Sequence, residues 1–311
     1  MSPVTPLQRY IAEEIATDHL DGLLSRREAL RRLALLGVGT AAATALITAC
    51  GENKQAQAKS TPSDASPSDV PSPPADAPAP GVDGALPTEP VTWAGPAGEL
   101  QGAWAPADGS RGGVLVIHEN KGLNDWVRSV AGRLAGAGYS SLAIDLLSER
   151  GGTATFADPA EATAALGARA PEAMIADLKS GIAELARRTP GQKIAAIGFC
   201  MGGGLVWRLL AAGTPELAAA LPFYGPTPDD PDFAGSRDVA VLGFYGERDQ
   251  RVNATEPVAA AALERAGLVH ELVTEPGADH AFFNDTGDRY DPAAAADAWS
   301  RTLNWLAAHV G

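Results

Sequence analysis

The sequence predicts an α/β fold, a mostly parallel sheet covered by helices on both faces. Three observations carry that expectation. Short apolar runs alternate with longer amphipathic stretches from about residue 113 to the end of the chain, the order that strand–helix–strand units produce. Several of the runs, such as GVLVIH at residues 113–118, are apolar throughout, as strands buried on both faces are. One run passes through a glycine-rich turn straight into a helical segment, KIAAIGFCMGGGL at residues 193–205.

Composition bounds the rest. A chain of 311 residues holds one large α/β domain or two small ones, and 45% hydrophobic content is ordinary for a globular protein. The net charge of −14, with no offsetting basic patch, excludes nucleic acid as an expected partner. Two cysteines, Cys50 and Cys200, are too few for a disulfide framework.

Residues 1–50 read as an address. Ser25-Arg26-Arg27-Glu28-Ala29-Leu30 resembles a twin-arginine export signal, and the small-residue apolar run 33–49 ends in Ile47-Thr48-Ala49-Cys50, which resembles a bacterial lipobox. The expectation is export to the cell envelope and attachment to the membrane through an N-terminal lipid anchor on Cys50. An uncleaved anchor helix or a short transmembrane segment is the alternative. Residues 51–86 are rich in Ala, Pro, Ser and Asp. They bury too little apolar surface to offset their ordering entropy, so a disordered linker is expected. One α/β domain should then occupy residues 87–311.

Within it, residues 91–93 and 100–105 form a hairpin around Gly95-Pro96-Ala97-Gly98. Strands follow at 113–118, 141–145, 193–198, 218–224, 239–245 and 268–274. Helices are expected at 126–135, 160–167, 171–188, 205–212 and 257–266. An irregular loop is expected at 146–158, and the amphipathic stretch 292–309 closes the chain.

The glycine-rich turn carries the chemistry. Gly198-Phe199-Cys200-Met201-Gly202 fits the G-x-S-x-G nucleophile elbow of α/β-hydrolases, with Cys in place of Ser. Such a turn needs small neighbours, and it sets the sulfur at a helix N-terminus, where a thiolate is favoured. Alone, the pentapeptide could equally be a buried cysteine in a tight turn. Context favours the nucleophile. Asp249, His280 and Glu119 each follow a different predicted strand, where functional residues of open α/β sheets gather. The order nucleophile, acid, histidine is that of α/β-hydrolases. His280 would take the thiol proton and Asp249 would fix its tautomer. Backbone N–H groups of Met201 and Asn120 would hold the oxyanion. Asp279 is a rival acid, but a sequence neighbour rarely points at the same ring. His118 and His270 read as structural. No cofactor is expected, nor a metal, because the His and acidic residues miss spacings such as H-E-x-x-H.

The segments IHENKGLN (117–124), AIDLLSERGG (143–152), GFCMGGGL (198–205), FYG (223–225), GERDQRV (246–252) and HAFFND (280–285) together resemble the dienelactone hydrolase (carboxymethylenebutenolidase) family. The resemblance implies an α/β-hydrolase fold, a small-molecule ester or lactone substrate, and a role for Glu119 in generating the Cys200 thiolate. It also implies substrate contacts from Tyr224 and from the position four residues after the histidine. There the family's founding enzymes carry an arginine that holds the substrate carboxylate, and this chain has Asn284. A second such arginine has no counterpart near residues 160–167, where Glu161 stands, which leaves Arg150 and Arg289 as candidates. The expected activity is hydrolysis of an ester or lactone through a Cys200–His280–Asp249 triad and an acyl-thioenzyme. The alternatives are a broad carboxylesterase or thioesterase and, from another class, a non-catalytic surface-anchored binding lipoprotein.

Overall fold

The structure, a computed structural model, describes residues 5–57 and 78–311. In chain order the elements begin with α1 (Pro6–Leu20), α2 (Arg26–Leu35) and α3 (Thr40–Gln57). Then come β1 (Glu89–Ala94), β2 (Glu99–Ala105), β3 (Gly113–Ile117), α4 (Asp125–Gly136) and β4 (Ser140–Asp145). Two 3-10 turns follow, Ser148–Arg150 and Thr153–Thr155, and then α5 (Pro159–Gly167), α6 (Pro171–Arg188), β5 (Ile194–Phe199) and α7 (Met201–Ala211). The chain ends with β6 (Leu217–Phe223), β7 (Ala240–Gly246), α8 (Gln250–Asn253), α9 (Glu256–Ala266), β8 (His270–Glu275) and α10 (Pro292–His309).

Two compact units emerge. The larger contains the eight strands of the described residues in one sheet of order β1-β2-β4-β3-β5-β6-β7-β8. The β1–β2 and β2–β4 pairs are antiparallel, and every pair from β4 to β8 is parallel. This is the α/β-hydrolase architecture. Strands β3, β4, β5 and β7 are buried along their whole length, as their continuous apolar sequences require. The carboxyl ends of β3, β5, β7 and β8 therefore deliver the loops bearing Glu119, Cys200, Asp249 and His280 to one edge of the sheet.

The smaller unit joins α1, α2, α3 and α5. A capping box starts α1: the Gln8 N–H donates to Thr5 Oγ1 at 3.0 Å and the Thr5 N–H to Gln8 Oε1 at 2.9 Å. Ser25 caps α2 through the Glu28 N–H. Arg31 and, after it, Arg32 hold the Glu28 carboxyl down to about 2. Arg31 also reaches Asp158, which caps α5. An added Cβ on Gly167 would lie 2.7 Å from Leu36 and 3.4 Å from Ile11, so glycine permits close approach of these helices. No helix among the described residues is long and apolar enough to cross a membrane.

The structure departs from the expectations in four places. Residues Gln250–Asn253 form the single-turn helix α8, which the sequence does not predict. The loop at 146–158 contains the two 3-10 turns. Residues 156–171 cluster with the N-terminal helices rather than with the sheet. The stretch expected as a linker from residue 51 begins helically, because α3 runs on to Gln57, and its centre, 58–77, lies outside the described residues. Its last part is ordered: the Leu86 N–H donates to the Gly132 carbonyl of α4 at 2.9 Å. Cys50 falls within α3, and its side chain lies outside the described residues.

Candidate active site

The turn between β5 and α7 holds Cys200 at φ 56°, ψ −115°, a strained left-handed conformation for a residue with a Cβ. The surroundings enforce it. The Cys200 N–H donates to the Phe223 carbonyl at 3.0 Å, and the Cys200 carbonyl accepts the Gly204 N–H at 3.0 Å. A Cβ on Gly198 would sit 2.2 Å from the Gly202 carbonyl oxygen, and one on Gly202 would sit 2.4 Å from that of Ile117. Both glycines are therefore dictated by backbone proximity. Cys200 is 1% exposed and stands at the N-terminus of α7, with Met201 as the first helical residue.

Asp249 follows β7 and caps the single-turn helix α8 by accepting the Val252 N–H on Oδ1 at 3.3 Å. Its other oxygen, Oδ2, accepts from His280 Nδ1 at 2.5 Å. The Asp249 and His280 loops meet because Gly246 lacks a side chain: a Cβ there would lie 2.7 Å from the Asp279 carbonyl oxygen. The Arg248 N–H donates to the Ala278 carbonyl at 2.9 Å and completes the junction. Burial alone would raise the Asp249 carboxyl. The charge and hydrogen bond of His280 outweigh burial, Arg251 and the Val252 N–H add to them, and the group is held below the usual carboxylate range. Asp279 turns to the surface beside Arg248. Nδ1 is held by Asp249, and a ring nitrogen of His280 lies within 4.8 Å of Cys200 Sγ. Tyr224, at φ 35°, packs its ring edge-on against His280 at 5.2 Å between centroids.

Glu119 and Asn120 follow β3, 5% and 8% exposed. The Glu119 carboxylate accepts from Asn284 Nδ2 on Oε2 at 2.9 Å, with the Tyr224 hydroxyl 3.5 Å from Oε1. Asn284 Oδ1 in turn accepts the Thr286 N–H at 3.0 Å and its hydroxyl at 2.7 Å. Asn284 thus braces Glu119, a role its sequence position alone does not announce. Its neighbour Asp285 accepts from buried Arg133 of α4 on both oxygens at 2.9 Å, and from Trp126 Nε1 at 2.8 Å. The segment after His280 is thereby fastened to α4. Arg150 lies exposed at the end of the first 3-10 turn, and Arg289 is half-buried before α10.

His118 is read from the sequence as structural. It is fully buried, its Nδ1 lies 2.6 Å from the Glu119 carbonyl oxygen, and its Nε2 accepts the Leu146 N–H at 3.1 Å.

The sequence profile of the dienelactone hydrolase family matches residues 101–310. A Salmonella typhimurium protein with the provisional name carboxymethylenebutenolidase is 33% identical over 217 residues, covering 66% of this chain and 80% of its own. A Klebsiella pneumoniae crystal structure, provisionally named a dienelactone hydrolase, superposes with a TM-score of 0.61 at 27% identity, covering 71% of this chain and 98% of its own. A dienelactone hydrolase-like promiscuous phosphotriesterase from metagenomic libraries matches with a TM-score of 0.56 at 25% identity, covering 73% and 100% of the two chains.

Proposed function

The chain belongs to the dienelactone hydrolase family, and on that premise we propose that it cleaves a neutral ester or lactone through Cys200, His280 and Asp249. Family membership carries the hydrolysis of esters or lactones. The reading of the triad rests on one observation: a strained elbow cysteine lies within 4.8 Å of a histidine ring nitrogen, while Asp249 occupies that histidine's Nδ1.

In this reading Cys200 Sγ attacks the carbonyl carbon while His280 Nε2 receives the thiol proton. Asp249 keeps the ring in the tautomer with its proton on Nδ1 and stabilises the imidazolium. The oxyanion is held by the Met201 and Asn120 N–H groups. Collapse breaks the bond to the alcohol oxygen, which takes the proton from His280. Water, deprotonated by His280, then cleaves the acyl-thioenzyme to the carboxylic acid and restores the thiol. Glu119 assists formation of the Cys200 thiolate, its carboxylate aimed by Asn284.

The neutral substrate follows from Asn284. It stands where the family's founding enzymes carry an arginine, it has no charge, and both ends of its amide are engaged. The acyl portion therefore needs no carboxylate. A thioester would be accepted by the same groups. The test is a panel of p-nitrophenyl acetate, a dienelactone and an acyl thioester, each against Cys200→Ala. Loss of hydrolysis in the variant supports the nucleophile. Absence of activity on every compound, with folded protein and ordinary thiol reactivity, would favour a binding role.

We also propose that residues 1–50 direct export and that Cys50 is lipidated. The support is the Arg26-Arg27 pair and the run ending at Cys50. Intact mass of protein from a membrane fraction tests it, and an unmodified full-length mass would overturn it.

A further inference from the structure

Two hydrogen bonds fix the state of His118. The Leu146 N–H can only donate, so Nε2, 3.1 Å away, carries a lone pair. The Glu119 carbonyl can only accept, so Nδ1, 2.6 Å away, carries the proton. His118 is therefore a neutral imidazole in a single tautomer, buried completely at the end of β3.

The carbonyl it grips belongs to the peptide that joins Glu119 to Asn120. That peptide is planar and trans, since no cis bond occurs among the described residues. Orienting its C=O therefore orients the N–H of Asn120 at the opposite end. A hydrogen bond to the carbonyl also polarises the amide and strengthens its N–H as a donor. The ring itself is anchored on the next strand's loop through Leu146. A second tie joins the same two loops. The Leu123 N–H donates to Thr153 Oγ1 at 2.9 Å, and that hydroxyl donates to Asp145 Oδ1 at 2.8 Å. Gly122, at φ +79°, leaves room for Thr153, whose Oγ1 would lie 2.2 Å from a Cβ there.

We infer that His118 is a positioning residue for the oxyanion hole: its neutral ring sets the peptide plane that presents the Asn120 N–H. The inference rests on the proposed role of that N–H in stabilising the tetrahedral intermediate.

The test uses the chemistry of the two neighbours of the ring. Asparagine can place an amide N–H near the position of Nδ1, whereas leucine offers nothing. Ester turnover needs the oxyanion hole; alkylation of Cys200 by iodoacetamide forms no oxyanion. His118→Leu should lower kcat for p-nitrophenyl acetate by about 10- to 100-fold, part of the roughly 10²- to 10³-fold that loss of a whole oxyanion donor costs. KM and the alkylation rate should change by less than about threefold, and His118→Asn should recover most of kcat. Equal losses in turnover and alkylation would mark a general structural role and overturn the inference, as would unchanged kcat in both variants. Asn120→Pro removes the N–H itself. Turnover insensitive to that change, with alkylation intact, would remove the oxyanion assignment on which the inference depends. A low kcat in Asn120→Pro beside wild-type kcat in His118→Leu would overturn only the role of His118.

Discussion

Asn284 Nδ2 donates to Glu119 Oε2 across 2.9 Å, joining the loop after β3 to the loop after β8. The contact puts a neutral side chain against a buried carboxylate at the point where the family's founding enzymes carry a positive one. Asn284→Arg should therefore recover affinity for a carboxylate-bearing lactone. A charge-assisted hydrogen bond supplies about 1.5–3 kcal/mol, so the ratio of kcat/KM for an anionic dienelactone over a neutral ester should rise at least about tenfold. An unchanged ratio, measured on folded protein, would show that Asn284 does not set substrate charge.

The Asp249–His280 pair makes a prediction in activity and another in pH. Asn in place of Asp249 leaves the ring free to adopt the wrong tautomer, and turnover should fall by about 10³- to 10⁴-fold. The Asp249 carboxyl is held below its ordinary range in the folded protein, so its contribution to stability is present above the unfolded value, about 3.9, and is lost as pH falls toward the folded one. Thermal midpoints of the wild type should consequently drop more steeply below about pH 4 than those of Asp249→Asn. Parallel acid limbs would contradict that account.

The parts of this site that were legible in sequence are those fixed locally. Gly198 and Gly202 flank Cys200 because two backbones nearly touch there, and such glycines are visible in a pentapeptide. Asp249 and His280 were visible because each follows an apolar run. The braces were hidden for the opposite reason. Glu119 and Asn284, and Arg133 and Asp285, are 165 and 152 positions apart, and no periodicity announces such pairs. Helix α8 was missed because one turn leaves no amphipathic pattern. The clustering of residues 156–171 with the N-terminal helices was also hidden, since an Ala-rich stretch reads alike as address, linker or packed helix.

Arg133 is 2% exposed, with its charge met by Asp285. Removing the carboxylate strands a buried guanidinium, so Asp285→Ala should destabilise the domain by about 3–5 kcal/mol. Arg133→Met combined with Asp285→Leu should recover much of that loss, because an apolar pair of similar volume costs little. Because Asp285 lies five residues beyond His280, the single variant should also lose kcat near its thermal midpoint. Denaturant titration of the two singles and the double gives the coupling directly. Additive effects would show that the two side chains act independently.

Glu275, the last residue of β8, supplies a pH dependence of opposite sign. Burial is the largest cause that lifts its carboxyl to about 8; Asp297 and Asp291 add to it, and Arg301 works against it. A raised carboxyl means that the folded chain keeps a proton which the unfolded chain has released. Stability should thus be greatest below the unfolded value, near 4.5, decline as pH rises toward 8, and level off beyond it. Glu275→Gln never ionises and keeps the buried amide neutral. Its thermal midpoint should match the wild type near pH 4.5 and exceed it by several degrees at pH 8.5, since about 1 kcal/mol moves the midpoint by roughly 2–4 °C in a domain of this size. Differential scanning calorimetry across that range measures the gap. A gap that stays constant with pH would show that Glu275 does not ionise over this window in the folded protein.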